Sequence, residues 1–394
     1  MSLFDSDDSL IDDEVFGSVS QSLSQDFKPW HKPRKQFIRD KQWLDQFKRM
    51  VGDRKYKDIE TINYFGLPGG DLLDINYLYE GMIKSNRCSA KRLGFHGFIN
   101  SDSDHTKAQV EIGKILDKER IEKRSLVEKF RFEDLQKNNS EAWMRVKRFG
   151  DYHFINLDFC NNVMSFETLI SIYNLLQYQM KKVVGIPWLF CLTTRLNKES
   201  TTETIIIKFK EIITESLGVT KLKEKIEECF VEVHNYFSSR ENEDYIIDIE
   251  DDSLMNQILQ ICLVLWILKE ASIRNFTVSL KSSMKYSVDL FSRDADMHSF
   301  VFSFEKEEEF EPDLLGLSPV NGSKIEEVTF DTVATPALDK LSDTADVDNI
   351  LEQDKESLNS YADDMINWLA KCGYDTSNYR NFMSSNYGYD FNLE

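Results

Sequence analysis

The chain has 394 residues, 41% of them hydrophobic and 12% aromatic, with a net charge of −20. That is enough apolar material for a sizeable core and length enough for about two to three domain-sized units. The six cysteines form no CxxC pair. This argues against a zinc site or disulfide framework and for free thiols in a reducing cytoplasm. The longest apolar run, at 258–268, is far short of the ~20 residues a membrane span needs.

Residues 1–26 hold seven acids, no Lys or Arg, and scattered Leu, Ile, Val and Phe. The composition predicts a disordered acidic tail that can dock a protein partner, and the polar start carries no signal peptide. Residues 27–58 form a basic arm and helix: 28–58 contain eleven Lys/Arg against four acids. The arm opens FKPWHKPRKQ, where Pro29 and Pro33 favour an extended backbone. A helix is predicted from about Gln36, with Phe37, Trp43, Phe47 and Val51 on one side.

A strand and turn follow over 59–70, then a helix over 71–83, a strand at 92–100 and a charged helix or helix pair at 105–130. A third strand is predicted at 152–159, followed by a helix and a fourth strand at 186–195. Strands of near-continuous apolar residues alternating with helices predict a parallel sheet covered on both faces. Two amphipathic helices come next, with Gly218 between them, then a buried helix around ILQICLVLWIL and an antiparallel meander at 276–304. The expected fold class is α/β, Rossmann-like, closed by that meander and flanked by disordered acidic tails. From 305 to 355 the acid-rich composition predicts a linker, and 356–394 a final helix, capped at Gly373, with a Tyr/Asn-rich tail.

In an open parallel sheet the ligand sits beyond the C-terminal strand ends. Four polar ends are expected there: Asn63 with the glycine turn, Asn100-Ser101-Asp102, Asp158-Phe159-Cys160-Asn161, and Thr193-Thr194-Arg195. Gly66, Gly69 and Gly70 let a backbone approach a ligand closely and adopt positive φ. The turn lacks the GxGxxG of nicotinamide and flavin proteins and the GK[ST] of a P-loop. Strand-end acids Asp102 and Asp158 leave open an unrelated metal-dependent hydrolase or nuclease, although no ligand spacing supports a metal.

INYFGLPGG, FHGFINSDSDHTKA and FINLDFCNN, in that order over 59–304, resemble the strand ends of class I S-adenosylmethionine-dependent methyltransferases. The first resembles the D-x-F-A-G-P-G opening of the three-Cys-motif partner proteins of bacterial, defence-type gene neighbourhoods. The resemblance implies S-adenosylmethionine as cofactor, held by Asn63, Gly66, Pro68, Gly69, Gly70, Asn100 and Asp102. It also implies that Asp158, with Asn161, orients a methyl acceptor. Asn63 and Asn100 stand where acids are usual, and no proline follows Asp158. These departures imply a catalytically degenerate scaffold or sensor in a multi-protein, cytoplasmic, anti-phage, nucleic-acid-linked system; the alternative is an active methyltransferase on nucleic acid. For the basic arm, Trp30 and His31 are expected to stack on bases, and Lys32, Arg34 and Lys35 to meet phosphates of a nucleic acid.

Overall fold

The computed structural model describes residues 27–392, apart from 89, 239–248, 250, 288–294 and 308–327. The acidic tail at 1–26 and most of the acidic stretches near 245 and 310 therefore lie outside the described residues. The basic arm is not an extended strap. After a 3-10 turn at Pro29–His31, Pro33 takes the first position of helix α1 (Pro33–Ile38), where its missing N–H costs nothing. A π-helical stretch, Arg39–Leu44, joins α1 to α2 (Asp45–Val51). Such stretches are rare and concentrate at functional sites.

The α/β body runs β1 (Thr61–Gly66), α3 (Leu73–Lys84), β2 (Arg92–Phe98), α4 (Asp102–Leu116), β3 (Leu126–Glu128), α5 (Glu141–Phe149), β4 (Phe154–Asn162), α6 (Phe166–Lys182) and β5 (Trp188–Arg195). Helices α7 (Glu203–Gly218), α8 (Thr220–Cys229), α9 (Val231–Ser238) and α10 (Asp252–Ser272) follow, then the hairpin β6 (Thr277–Tyr286) and β7 (Met297–Glu305). The sheet order is β3-β2-β1-β4-β5-β7-β6-β8, where β8 is the two-residue strand Ala345–Asp346 at the far edge. Strands β1 to β5 pair in parallel, and β7 is antiparallel to both β5 and β6. The Rossmann-like, mostly parallel sheet with a closing antiparallel hairpin is as the alternation predicted. The strand order, not the strand direction, reverses between β1 and β4, which is where such folds open a crevice.

Both faces are covered. One apolar layer joins α5, α6, α7 and α10 to the sheet through residues such as Trp143, Leu175, Phe209 and Leu265. The other joins the arm helix to the sheet through Trp43, Phe47, Tyr64 and Phe95. Helix α10 is long and apolar enough to cross a membrane, but it is mostly buried in the first layer.

Three stretches differ from expectation. The short edge strand β3 and helix α5 lie where only charged helix, or nothing, was expected: three residues are too few for a visible period. The stretch 305–355 is not simply a linker. Its described part folds as α11 (Phe330–Ser342), the two-residue β8 (Ala345–Asp346) and α12 (Val347–Gln353). Helix α11 buries Val333, Ala334, Ala337, Leu338 and Leu341 in the sheet's core despite Pro336 in its middle. The chain ends in α13 (Lys355–Lys371), followed by Gly373 at φ 84°, and α14 (Tyr379–Tyr387). These helices build a third, small core with Phe27 of the arm.

Candidate functional site

A cavity of about 440 Å³ opens at the C-terminal ends of β1, β2 and β4, at the reversal of strand order. This falls within the size range of small-molecule sites. Its first wall is the turn after β1. A Cβ on Gly66 would lie 2.2 Å from the Tyr64 hydroxyl, and one on Gly70 3.0 Å from the Asp104 carbonyl. Glycine is therefore what lets this turn fold back between β1 and α4. Leu72 then adopts φ 49°, a costly left-handed value for a leucine, and starts α3 with no side-chain cap. The first turn of α3, with its unpaired amides, thus sits beside the cavity.

Pro68 and Gly69 line the cavity, as do Asn100, Asp158 and Asn161. Gly66 and Gly70 shape the turn from behind. Two expected cofactor contacts lie elsewhere. Asn63 is in mid-strand, opposite Gly94, because β1 continues to Gly66. Its Nδ2 donates to the Asp151 carbonyl (3.0 Å), and its Oδ1 accepts from Arg124 (3.2 Å). Asp102 begins α4 with an 86% exposed side chain paired to Lys129. Ser101 caps the helix at Asp104 N, and this turn brings Asp104 to the cavity in place of Asp102. Thr193, Thr194 and Arg195 are spent within the sheet: Thr193 pairs with Ser299, Thr194 with the 161–163 backbone and Arg195 with Asp296.

The arm supplies what sequence reasoning missed. His31, Lys32, Arg34 and Lys35 are all buried, and each is committed inside the protein. Lys35 Nζ donates to Asp158 Oδ1 at 2.5 Å, with side chains only 5% and 13% exposed. His31 Nε2 meets Asp71 Oδ2 at 3.3 Å, and Arg34 pairs with Asp348 and Tyr389. The Lys32 ammonium lies 3.7 Å from the centre of the Tyr387 ring. Trp30 makes a T-shaped contact with His31 and lines the cavity. In this conformation Lys32, Arg34 and Lys35 are not free to meet phosphates: Arg34 and Lys35 pair with Asp348 and Asp158, and Lys32 lies over the Tyr387 ring.

Five acids line the cavity: Asp71, Asp74, Asp104, Glu133 and Asp158; Arg39 is the basic residue among them. Arg39 Nε donates to Asp74 at 2.6 Å, and Asp71 receives Lys107 at 2.5 Å and the Tyr374 hydroxyl at 2.9 Å as well as His31. Burial opposes the Asp71 charge, but the bonds from His31 and Lys107 hold its carboxyl below the usual range. Burial likewise pushes Asp158 up, with Lys35 offsetting part of it. Lys35 resists the same burial and is held above the ordinary lysine range by Asp158. An ammonium and a carboxylate at this distance favour each other's charge, so we read the pair as ionised at neutral pH. Burial makes His31 a weaker base than usual.

Asp71 and Asp74 were legible as GGDLLD, acids placed directly after the glycine turn and in the first turn of a helix. Phe130 and Phe132, which add an aromatic wall, carried no sequence signal. Phe132 meets Phe159 edge-on at 5.4 Å. Of the histidines, His96 is satisfied by Tyr152 and Glu128, and His153 accepts from Asn63 N, as strand residues rather than bases. Among the described residues no group of three or more His, Cys, Asp or Glu converges as metal ligands.

The residues present fit an adenosyl sulfonium. The lining is acidic, which suits a cation, and carries carboxylates and Asn100 able to accept from ribose hydroxyls. Trp30 Nε1, a buried donor at the wall, has no partner.

No curated protein matches the chain. Among solved structures, it is similar to an rRNA methylase from Streptococcus thermophilus, at 11% identity, TM-score 0.28, covering 67% of this chain and 95% of that one. It is also similar to an O-methyltransferase of a trans-AT PKS multienzyme from Brevibacillus brevis, in complex with S-adenosyl-L-homocysteine, at 11% identity and TM-score 0.31. That match covers 83% and 86% of the two chains. Scores this low assign no activity. One family model covers nearly the whole chain, residues 24–384, and the protein belongs to the PP_RS20740-like family it describes.

Proposed function

We propose that the protein is a methyltransferase-like module that binds S-adenosylmethionine at the strand-end cavity without transferring the methyl group, and that it serves as a scaffold or sensor for a partner. Pro68, Gly69, Asn100 and Asp104 would hold the ligand, with the acidic lining favouring its positive charge. The bound ligand would supply an electrophilic methyl group.

One observation carries the silent reading: Asp158, the carboxylate on the strand where an acceptor would be oriented, is taken by the buried ammonium of Lys35. A carboxylate held this way has little left to offer an acceptor amine, and positioning is most of what such catalysis requires. The active alternative draws on Asp158 and Asn161 lining the same cavity as the glycine turn. The partner docks through the acidic terminal segments.

The test incubates the purified protein with S-adenosylmethionine and candidate small-molecule, peptide and RNA acceptors, read by mass spectrometry. Ligand binding with no product supports the proposal. A methylated product refutes the silent reading and leaves the binding reading in place.

A further inference from the structure

The cavity's walls are not fixed by the α/β body alone. Asp71 is clamped from three directions: by His31 of the arm, by Lys107 of α4, and by Tyr374 after α13. The Tyr374 hydroxyl also accepts from Lys107 at 2.8 Å, and its ring lies 4.3 Å from that ammonium. The Tyr379 hydroxyl donates to the His31 carbonyl at 2.6 Å, next to Trp30 on the cavity wall. Phe27, where the arm enters, packs against Tyr374, Tyr379 and Phe382, with ring centres 5.1–6.3 Å apart. Asp71, and the backbone next to Trp30, are thus held by residues 303 and 348 positions away in sequence.

We propose that Tyr374 and Tyr379 are positioning residues for the cavity, so that ligand occupancy and docking of the 355–391 segment form one coupled equilibrium. This rests on the reading that the cavity binds S-adenosylmethionine. If docking of the segment sets the wall, the ligand must stabilise the docked segment by the same factor that docking improves affinity. The device suits a sensor, because it carries occupancy of the strand-end cavity to the outer surface of the C-terminal helices.

A merely structural clasp would behave differently, and Tyr361 separates the two cases. Its hydroxyl donates to Asp40 at 3.0 Å from the same segment, and Asp40 is not part of the cavity wall. The experiment titrates S-adenosylmethionine into wild-type, Tyr374→Phe, Tyr379→Phe and Tyr361→Phe protein by calorimetry, with thermal unfolding of each. It also follows amide hydrogen exchange of the wild type with and without the ligand. Losing one hydrogen bond to a carboxylate should raise Kd about tenfold in Tyr374→Phe. Tyr379→Phe should also weaken binding, Tyr361→Phe should bind as wild type, and the ligand should slow exchange over 374–387.

Unaltered binding in both Tyr374→Phe and Tyr379→Phe, or losses no larger than in Tyr361→Phe, overturns the coupling alone. Absence of binding to the wild type overturns the ligand reading and the coupling with it.

Discussion

Replacing Lys35 with Met tests whether the arm's ammonium is what keeps Asp158 charged inside the cavity. Methionine keeps the length of the side chain and its packing near Trp43, where Lys35 Nζ sits 4.7 Å from the ring centre, but removes the charge. Both partners are nearly buried, so removing one strands the other, at about 3–5 kcal/mol. That is a large part of a typical stability of about 5–15 kcal/mol. Asp158 can escape by taking up a proton, since burial already pushes its carboxyl up. Its folded pKa in the variant then exceeds the unfolded value, so the deficit grows as pH rises and shrinks as pH falls. Asp158→Asn should cost a similar amount by stranding Lys35, and the double variant should recover most of the loss. The assay is urea unfolding of the four proteins at pH 7 and pH 5. The expected coupling energy at pH 7 is at least ~1.5 kcal/mol, and smaller at pH 5. A coupling below ~0.5 kcal/mol at pH 7 refutes the reasoning.

The glycine turn separates packing from binding. Gly66→Ala forces a methyl against buried Tyr64 and should cost about 1–3 kcal/mol of unfolding free energy. Gly69→Ala places its methyl 3.5 Å from Trp30 Nε1, an ordinary contact, so stability should hold within about 0.5 kcal/mol while S-adenosylmethionine affinity, measured by calorimetry, falls. Burial lowers His153 to about 4 and His298 to about 3. The unfolded state therefore binds more protons below pH 6.5, and each of these histidines should lower stability by about 1.6 kcal/mol in total as pH falls from 6.5 to 5. Both ring nitrogens of His298 lack partners and the ring stacks on Phe300, so His298→Phe should remove that histidine's share of the acid-side loss without lowering stability at pH 7, as read by urea unfolding. Leu338→Ala, fully buried in α11, should cost about 2–5 kcal/mol, whereas a solvated linker would lose nothing.

The α/β core was legible because its strands are continuous apolar runs and its helices keep their period, and the strand ends led to the cavity. Legibility failed where an effect depends on distant pairing. The basic arm has the composition of a nucleic-acid contact, yet each of its buried cations answers a charge or ring far along the chain: Lys35 answers Asp158, Arg34 answers Asp348, and Lys32 answers Tyr387. Composition cannot tell a cation aimed at solvent from one aimed at the protein's own acids. Asn63 and Asp102 failed by small shifts of phase. One sits three residues before its strand ends, and the other sits two residues before Asp104, which the capped turn brings to the cavity. Helix α11 was hidden by Pro336 and by surrounding Thr and Asp, although Val333, Ala334, Ala337, Leu338 and Leu341 keep a helical spacing.

The central claim is that the strand-end cavity holds an S-adenosyl ligand and selects its positive charge. Calorimetric titration of S-adenosylmethionine and S-adenosylhomocysteine into the full-length protein tests it most directly. Lys35, Lys107 and Arg39 answer Asp158, Asp71 and Asp74, so the acidic surplus at the lining is Asp104 and Glu133; that surplus predicts saturable binding of both, with the sulfonium form the tighter. No heat from either ligand at millimolar concentration would contradict the account.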